Sequence, residues 1–204
     1  DDKLIDWSMG ASVLSLDSSL KQNNSYDLAQ LLSSSSHIRI RTYGALATSS
    51  IRGAGAAHTQ IVWNGLVLNS PMTGQYDLSL IPLFFVENIR VQSGGLSALL
   101  GDGAIGGSVH LNNQLKFNQA QHFSILKSFE SFGTFNLGVK RAVSNHNTAF
   151  EIAIHRHISK NDFSYTDPYN SKERIKQTHA DQFSSTLQTR FSKKISEYFR
   201  ADLI

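Results

Sequence analysis

Residues 50–111 read SIRGAGAAHTQIVWNGLVLNSPMTGQYDLSLIPLFFVENIRVQSGGLSALLGDGAIGGSVHL, and this stretch decides the fold. Short apolar runs are punctuated by glycine. Residues 60–68 form two such runs around Asn64-Gly65, the strongest short-range hairpin signal in the chain. Asp77 is placed to cap a helical turn, and Pro82 limits its reach. Residues 86–92 predict a strand, 97–100 another turn of helix, and 106–111 a return to strand. The stretch therefore predicts a small α+β domain with many turns.

Towards the N-terminus the pattern continues. Residues 13–16 predict a short strand. Asn24 or Ser25 caps a predicted helix running to Leu32, with Leu28, Leu31 and Leu32 on one face. Ser33 to Ser36 are expected to break it. Residues 37–41 alternate, with Ile38 and Ile40 pointing one way, and predict a strand. Residues 43–48 predict a loop.

Beyond His122 the texture changes to long alternating strands. Phe150, Ile152, Ile154 and Ile158 share one face, while Glu151, Ala153, His155, His157 and Ser159 take the other. Phe135, Leu137 and Val139 oppose Asn136, Gly138 and Lys140. Phe183, Leu187 and Phe191 oppose Gln182, Ser184, Gln188 and Arg190. Such alternation suits a membrane barrel with a wet lumen. It equally suits a soluble antiparallel sheet with its apolar face turned inward. Five strands are expected, at 122–130, 133–143, 148–162, 177–192 and from 198 onward. Residues 144–147 and 193–197 predict short turns, and 163–178 a long polar loop.

Composition divides the chain in the same place. Residues 1–110 hold 12 of the 14 glycines and a net charge of −2; residues 111–204 hold 13 of the 20 aromatics and a net of +5. The chain has no cysteine, which excludes disulfides and thiolate metal sites. No basic stripe with interleaved aromatics is present, so nucleic acid is not an expected partner. No run approaches the length of about 18 apolar residues that a membrane helix needs. Asp1-Asp2-Lys3 does not open a secretory leader.

Taken together, the motifs over residues 13–111 resemble the plug domain of TonB-dependent outer-membrane receptors. Ile51-Arg52-Gly53 stands at that family's IRG motif. Ile61-Val62-Trp63-Asn64-Gly65-Leu66 stands at its hairpin, with Asn64 where Asp is usual. Asp77-Leu78, Ile81-Pro82, Val86-Glu87 and Ile89-Arg90-Val91 follow in family order. Residues 94–107 match its glycine-rich segment, with Gly95 for the usual Pro and Leu100 for the usual Tyr. Ala54-Gly55-Ala56-Ala57-His58 after the IRG motif is similar to the cobalamin-receptor-like branch.

The resemblance implies an α+β plug domain followed by antiparallel strands of a transmembrane β-barrel. The expected organisation is an N-terminal segment at 1–12, a plug at 13–116 and the first five or so barrel strands at 117–204. Plugged transporter barrels have about 22 strands, so the chain reads as truncated. The implied function is energy-coupled uptake of a large, scarce nutrient complex, a corrinoid (cobalamin) or a ferric siderophore, at the outer membrane of a Gram-negative cell. The protein would be a receptor and transporter with no enzymatic step and no resident cofactor. Implied partners are TonB with its ExbB and ExbD complex, outer-membrane lipid, the small-molecule nutrient complex and, at the cell surface, a lipoprotein. The alternative class is a soluble two-domain ligand-binding protein whose sheet packs Phe150, Ile152, Ile154 and Phe183 inward.

The resemblance also implies site residues. The ligand would meet three apical loops: Ala45, Leu46, Ala47 and Thr48; then Ala54, Gly55, Ala56, Ala57 and His58; then Ser70, Pro71, Met72, Thr73, Gly74 and Gln75. Arg52 and Glu87 read as charges in apolar, strand-like surroundings. A buried charge needs a partner, so they are expected to pair with each other or with the barrel wall and to serve in gating. Leu4 and Ile5, within Lys3-Leu4-Ile5-Asp6-Trp7, are candidates for the strand that pairs with TonB; otherwise that box lies upstream.

Other motifs carry less. Residues 101–106 spell G-x-G-x-x-G, but a strand rather than a helix is expected after them, so a dinucleotide site is not supported. His155 and His157 share a strand face without an evident third metal ligand. No G-x-S-x-G elbow is present.

Overall fold

The computed structural model describes residues 11–15, 28–35, 38–43, 46–93, 102–167, 169, 173–196 and 199–203. The chain divides into two compact units, 1–114 and 115–204. No helix among the described residues is long and apolar enough to cross a membrane.

The first unit contains β1 (Ala11–Ser15), α1 (Leu28–Ser35), β2 (Ile38–Tyr43), β3 (Leu46–Ile51), β4 (Thr59–Trp63), β5 (Leu66–Val67), β6 (Asn88–Ser93) and β7 (Gly107–Asn112). Five of these strands form one sheet in the order β1-β6-β7-β4-β5. β4 and β7 run parallel and the other neighbours antiparallel. β2 and β3 form a separate hairpin.

The Asn64-Gly65 hairpin is present as read. Val62 pairs with Val67 and Trp63 with Leu66 across a two-residue turn. Asn64 and Gly65 have φ of 48° and 87°, the left-handed pair that matches the twist of the flanking strands. Leu28, Leu31 and Leu32 are fully buried, as the helical spacing requires, and join Ile51, Ile61, Ile81, Ile89, Val109 and Leu111 in one core. The serines do not end α1 at Leu32. It runs on to Ser35, and the Ser33 hydroxyl donates to the Gln30 carbonyl at 2.8 Å, a back-bond that a helical turn accommodates. The capping residues expected before α1 and the helical turn expected at 97–100 lie outside the described residues.

Residues 46–48 are not loop. They belong to β3, where Ala47 to Ile51 are buried in succession. With both faces covered, small residues replace the alternation that would have marked a strand.

The second unit is a five-stranded antiparallel sheet in the order β8-β9-β10-β13-β14. Its strands are β8 (His122–Glu130), β9 (Thr134–Ser144), β10 (Thr148–Ser159), β13 (Gln182–Lys194) and β14 (Arg200–Leu203). The predicted loop between β10 and β13 carries a short hairpin of its own, β11 (Ser164–Thr166) and β12 (Arg174–Lys176). A 2.9 Å ion pair between Lys176 and Asp162 ties that hairpin to the end of β10. This pairing, with hydrogen bonding to the ammonium, holds the exposed Asp162 carboxyl below its usual range.

Register fixes the faces of this sheet. Ile125, Val139, Ile154 and Leu187 form one cross-strand row, Phe129, Phe135, Ile158 and Phe183 a second, and Val143, Phe150, Phe191 and Leu203 a third. Most of these side chains are exposed; Ile125 and Phe183 are each 63% accessible. The opposite face is polar and largely buried. There Arg190 meets Glu151 at 2.6 Å, and Asn136 donates to Glu130 and bonds His157. The sheet is inside out relative to a soluble protein.

Candidate ligand site on the plug unit

The strand pairings of the first unit gather three segments at one end of its sheet. Thr59 of β4 lies opposite Gly107 of parallel β7, so the segments preceding both strands run side by side. The Gly106 amide donates to the His58 carbonyl at 2.9 Å and locks them together. β5 runs antiparallel to β4, so the chain leaving it returns to the same end. The Asn64-Gly65 turn is at the other end.

Each segment has its own support. Residues 56–58 form a single 3-10 turn, Ala56–His58, closed by a hydrogen bond from His58 N–H to Gly55 O. Asn69 holds the second segment. Its Oδ1 accepts from Ile61 N–H at 2.7 Å, and its Nδ2 donates to Thr59 O and Gly74 O at 3.0 and 2.7 Å. The side chain thus continues the ladder with β4 where two-residue β5 stops. Ser70 N–H to Gln75 O and Gly74 N–H to Ser70 O close the turn. Gly74 has φ of 67°, and a Cβ there would stand 3.1 Å from the Ala57 side chain, so only glycine fits without a shift.

Between them lies a cavity of about 410 Å³. Ala57, His58 and Gln60 line it from the first segment, Val67, Asn69, Ser70, Pro71 and Gly74 from the second, and Gly103 and Ile105 from the third. Among the described residues, no carboxylate, lysine or arginine lines it. Met72 projects from the tip of the second loop and is 95% exposed.

The structure therefore brings two of the three predicted loops together, through Ala57, His58, Ser70, Pro71 and Gly74. Ala54, Gly55, Ala56, Met72, Thr73 and Gln75 lie in the same segments without lining the cavity. Leu46, Ala47 and Thr48 stand apart in β3, and the Ala47 amide donates to Asp77 Oδ1 at 3.0 Å. Asp77 also accepts from the amide of Ser79, the cap read from the sequence. Beside it, Tyr76 has its phenol pKa raised by burial and by the Asp77 carboxylate, so it stays protonated. Ala45, Leu4 and Ile5 lie outside the described residues. Sequence reading missed Gln60, Val67, Asn69, Gly103 and Ile105. An asparagine ending the apolar run Leu66-Val67-Leu68 was the available signal for Asn69; the others depend on how the strands pair.

The expected pairing of Arg52 with Glu87 is corrected. Arg52 is exposed at a chain reversal, with φ of 52°, where Ala54 N–H donates to Ile51 O. Glu87 belongs to the opposite end of the sheet. Its amide donates to Asn113 Oδ1 at 2.9 Å, and its carboxylate accepts from Gln114 N–H. Asn113 N–H in turn donates to Asn64 Oδ1 beside the hairpin turn. Among the described residues, Arg52 and Glu87 form no ion pair with each other.

The other motifs resolve simply. Asp102–Ala104 is a 3-10 turn followed by β7, not a helix, so the glycine string has no dinucleotide-binding context. His157 Nδ1 bonds Asn136, and no group of three or more potential metal ligands occurs among the described residues.

A turn-rich plug with a neutral cavity, followed by a sheet that presents its apolar face outward, defines the plugged outer-membrane barrel class. Residues 5–108 match the family described as TonB-dependent Receptor Plug Domain, and the chain belongs to that family. Over 79 residues it is 34% identical to the vitamin B12 transporter BtuB of Vibrio vulnificus (strain YJ016), covering 39% of this chain and 13% of that protein. The fold is similar to the copper transporter OprC, with TM-score 0.70 and 17% identity over 92% of this chain and 28% of that one. It is also similar to the siderophore receptor PirA of Acinetobacter baumannii, with TM-score 0.68 and 18% identity over 96% and 31%. The chain thus spans about an eighth to a third of the length of these relatives.

Proposed function

We propose that this chain is the gate, part of the ligand site and the first wall of an outer-membrane transporter that takes up a corrinoid by a TonB-dependent mechanism. The observation that carries the reading is the cavity built from Ala57, His58, Ser70, Pro71 and Gly74, two of the loops implied by the sequence. Its lining is small, neutral and mixed in polarity, which suits a bulky amide-rich ligand approached by backbone and small side chains. A ferric chelate carrying net negative charge would call for lysine or arginine, which the lining does not contain among the described residues. The 34% identity to a vitamin B12 transporter leans the same way.

The N-terminal topology suits mechanical coupling. β1 is an edge strand, paired only with β6 through Ala11↔Gln92 to Ser15↔Asn88. It is the first described element that a pull on residues 1–10 would reach. TonB, energised by ExbB and ExbD, would pair with a strand in or upstream of Lys3–Trp7 and draw on β1, loosening the segments behind the cavity. A surface lipoprotein would act on the ligand before it reaches the plug.

The test is uptake of radiolabelled cobalamin and of a radiolabelled ferric siderophore by cells expressing the full-length receptor, with and without TonB. TonB-dependent accumulation of cobalamin alone supports the reading. Accumulation of the siderophore alone would replace the ligand. Accumulation independent of TonB would remove the mechanism.

A further inference from the structure

The apolar face of the second sheet carries charge of one sign only. Lys127, Arg141, Arg156 and Lys193 project from it within the strands, whereas the sheet's carboxylates, Glu130, Glu151 and Asp202, all lie on the polar face. On the polar face Arg190 pairs with Glu151 and Arg200 with Asp202, while Lys194 stands over the Phe117 ring. Among the described residues, Lys127 and Arg156 have no acid partner. Each instead stands over an aromatic ring of its own face, Lys127 Nζ 5.1 Å from the Phe129 centroid and Arg156 Cζ 4.9 Å from that of Phe183.

The two cations share one cross-strand row, Lys127↔Leu137↔Arg156. Two strand spacings separate them, roughly 10 Å, with the Leu137 side chain between. Long flexible stems let both heads reach one anion above Leu137. The neighbouring rows are apolar: Phe129, Phe135, Ile158 and Phe183 on one side, Ile125, Val139, Ile154 and Leu187 on the other. A bare cation among lipid chains is costly towards the bilayer centre and tolerable near the interface. The only long connection between the sheet's strands leaves from the end of β10 nearest this row, and in outer-membrane barrels the longer loops face outward. The row thus falls on the outer-leaflet side.

Resting on the outer-membrane reading above, we infer that Lys127 and Arg156 form a binding site for the phosphate of an acylated glycolipid of the outer leaflet, lipid A in chemical class. The phosphate neutralises both heads, and acyl chains lie along the two flanking apolar rows. Arginine supplies planar two-point donation to phosphate, and lysine a point charge.

The experiment is native mass spectrometry of the full-length receptor in detergent with added bisphosphorylated lipid A, dephosphorylated lipid A or phosphatidylglycerol. Wild type should retain bisphosphorylated lipid A about tenfold more than Lys127→Gln/Arg156→Gln, a loss of the order expected for charge-assisted contacts. Lys127→Arg/Arg156→Lys should retain most of it, and Arg141→Gln, on another row, should behave as wild type. Equal retention by wild type and the double glutamine variant overturns the site. Equal retention of dephosphorylated lipid overturns the phosphate contact, and equal retention of phosphatidylglycerol overturns the outer-leaflet glycolipid. Lipid retention is read on folded barrel without transported ligand, so failure of the corrinoid reading leaves this result standing. If the wild-type chain takes no lipid and is fully water-soluble without detergent, the outer-membrane reading itself fails.

Discussion

The two units solve opposite packing problems. In the plug, Ile89, Val109 and Leu111 are sealed inside, and polar side chains such as Asn69 and Asn113 stitch the loops at its ends. In the second sheet, Ile125, Ile154 and Phe183 are outside, and Glu151, Asn136 and Arg190 are buried. Similar residue types therefore carry different energies in the two places. An apolar side chain holds the plug together by leaving water, but on the second sheet it waits for lipid. A charged side chain such as Arg52 stays at the plug surface, whereas Glu151 and Arg190 on the polar face of the second sheet are locked in an ion pair.

This contrast makes the buried ion pair the most sensitive point. Glu151→Ala would strand Arg190, which is 3% exposed, and should destabilise the full-length receptor by about 3–5 kcal/mol. Glu151→Leu with Arg190→Met should recover most of that loss. Denaturant unfolding in detergent measures both, and a single variant as stable as wild type would break the comparison.

Next comes the matched pair of isoleucines. Ile89→Ala in the plug core should cost about 3 kcal/mol, by lost burial and a residual cavity. Ile154→Ala, 51% exposed on the second sheet, should cost less than about 1 kcal/mol in the same assay. Equal costs would mean that the two sheets do not face different media.

Asn69→Ala sharpens the plug side. It removes one acceptor and two donor contacts and leaves Ile61 N–H without its partner, for an expected loss of about 2 kcal/mol. Amide exchange should rise first at 69–75, and ligand affinity should fall with it. Protection unchanged in that loop would show that Asn69 does not hold it.

The smallest effect is at the surface. The Asp162 carboxyl titrates below its usual range because Lys176 favours the charged form. Its contribution is present above the unfolded carboxylate pKa and is lost as pH falls through the lowered folded value. The β11–β12 hairpin should therefore loosen only in acid. NMR of the Asp162 carboxyl reads this directly, and an ordinary carboxylate titration would remove the pair.

Much of this organisation was legible in the sequence because it is local. Asn64-Gly65 announces its turn through two positive φ values, and the alternation of Phe150 to Ser159 announces two faces. Leu28, Leu31 and Leu32 announce a helix face. What alternation does not state is which face meets water; that followed from exposure in the structure. Long-range pairing was silent. Nothing local says that β4 joins β7 in parallel, yet that pairing brings Gly103 and Ile105 to the cavity. β3 was hidden for a different reason: Ala47, Thr48, Ser49 and Ser50 are buried on both faces and show no period. The β11–β12 hairpin is short and polar, and Arg52 sits where one positive φ turns it outward.

The central claim is that the apolar face of the second sheet meets lipid. This chain has no cysteine, so once any cysteine elsewhere in the full-length receptor is replaced by serine, single-cysteine spin labels can be walked along residues 149–158 in liposomes. Collision with membrane-dissolved oxygen should alternate at period two, high at Phe150, Ile152 and Ile154 and low at Glu151, Ala153 and His155. Absence of alternation, or the opposite phase, would contradict the account.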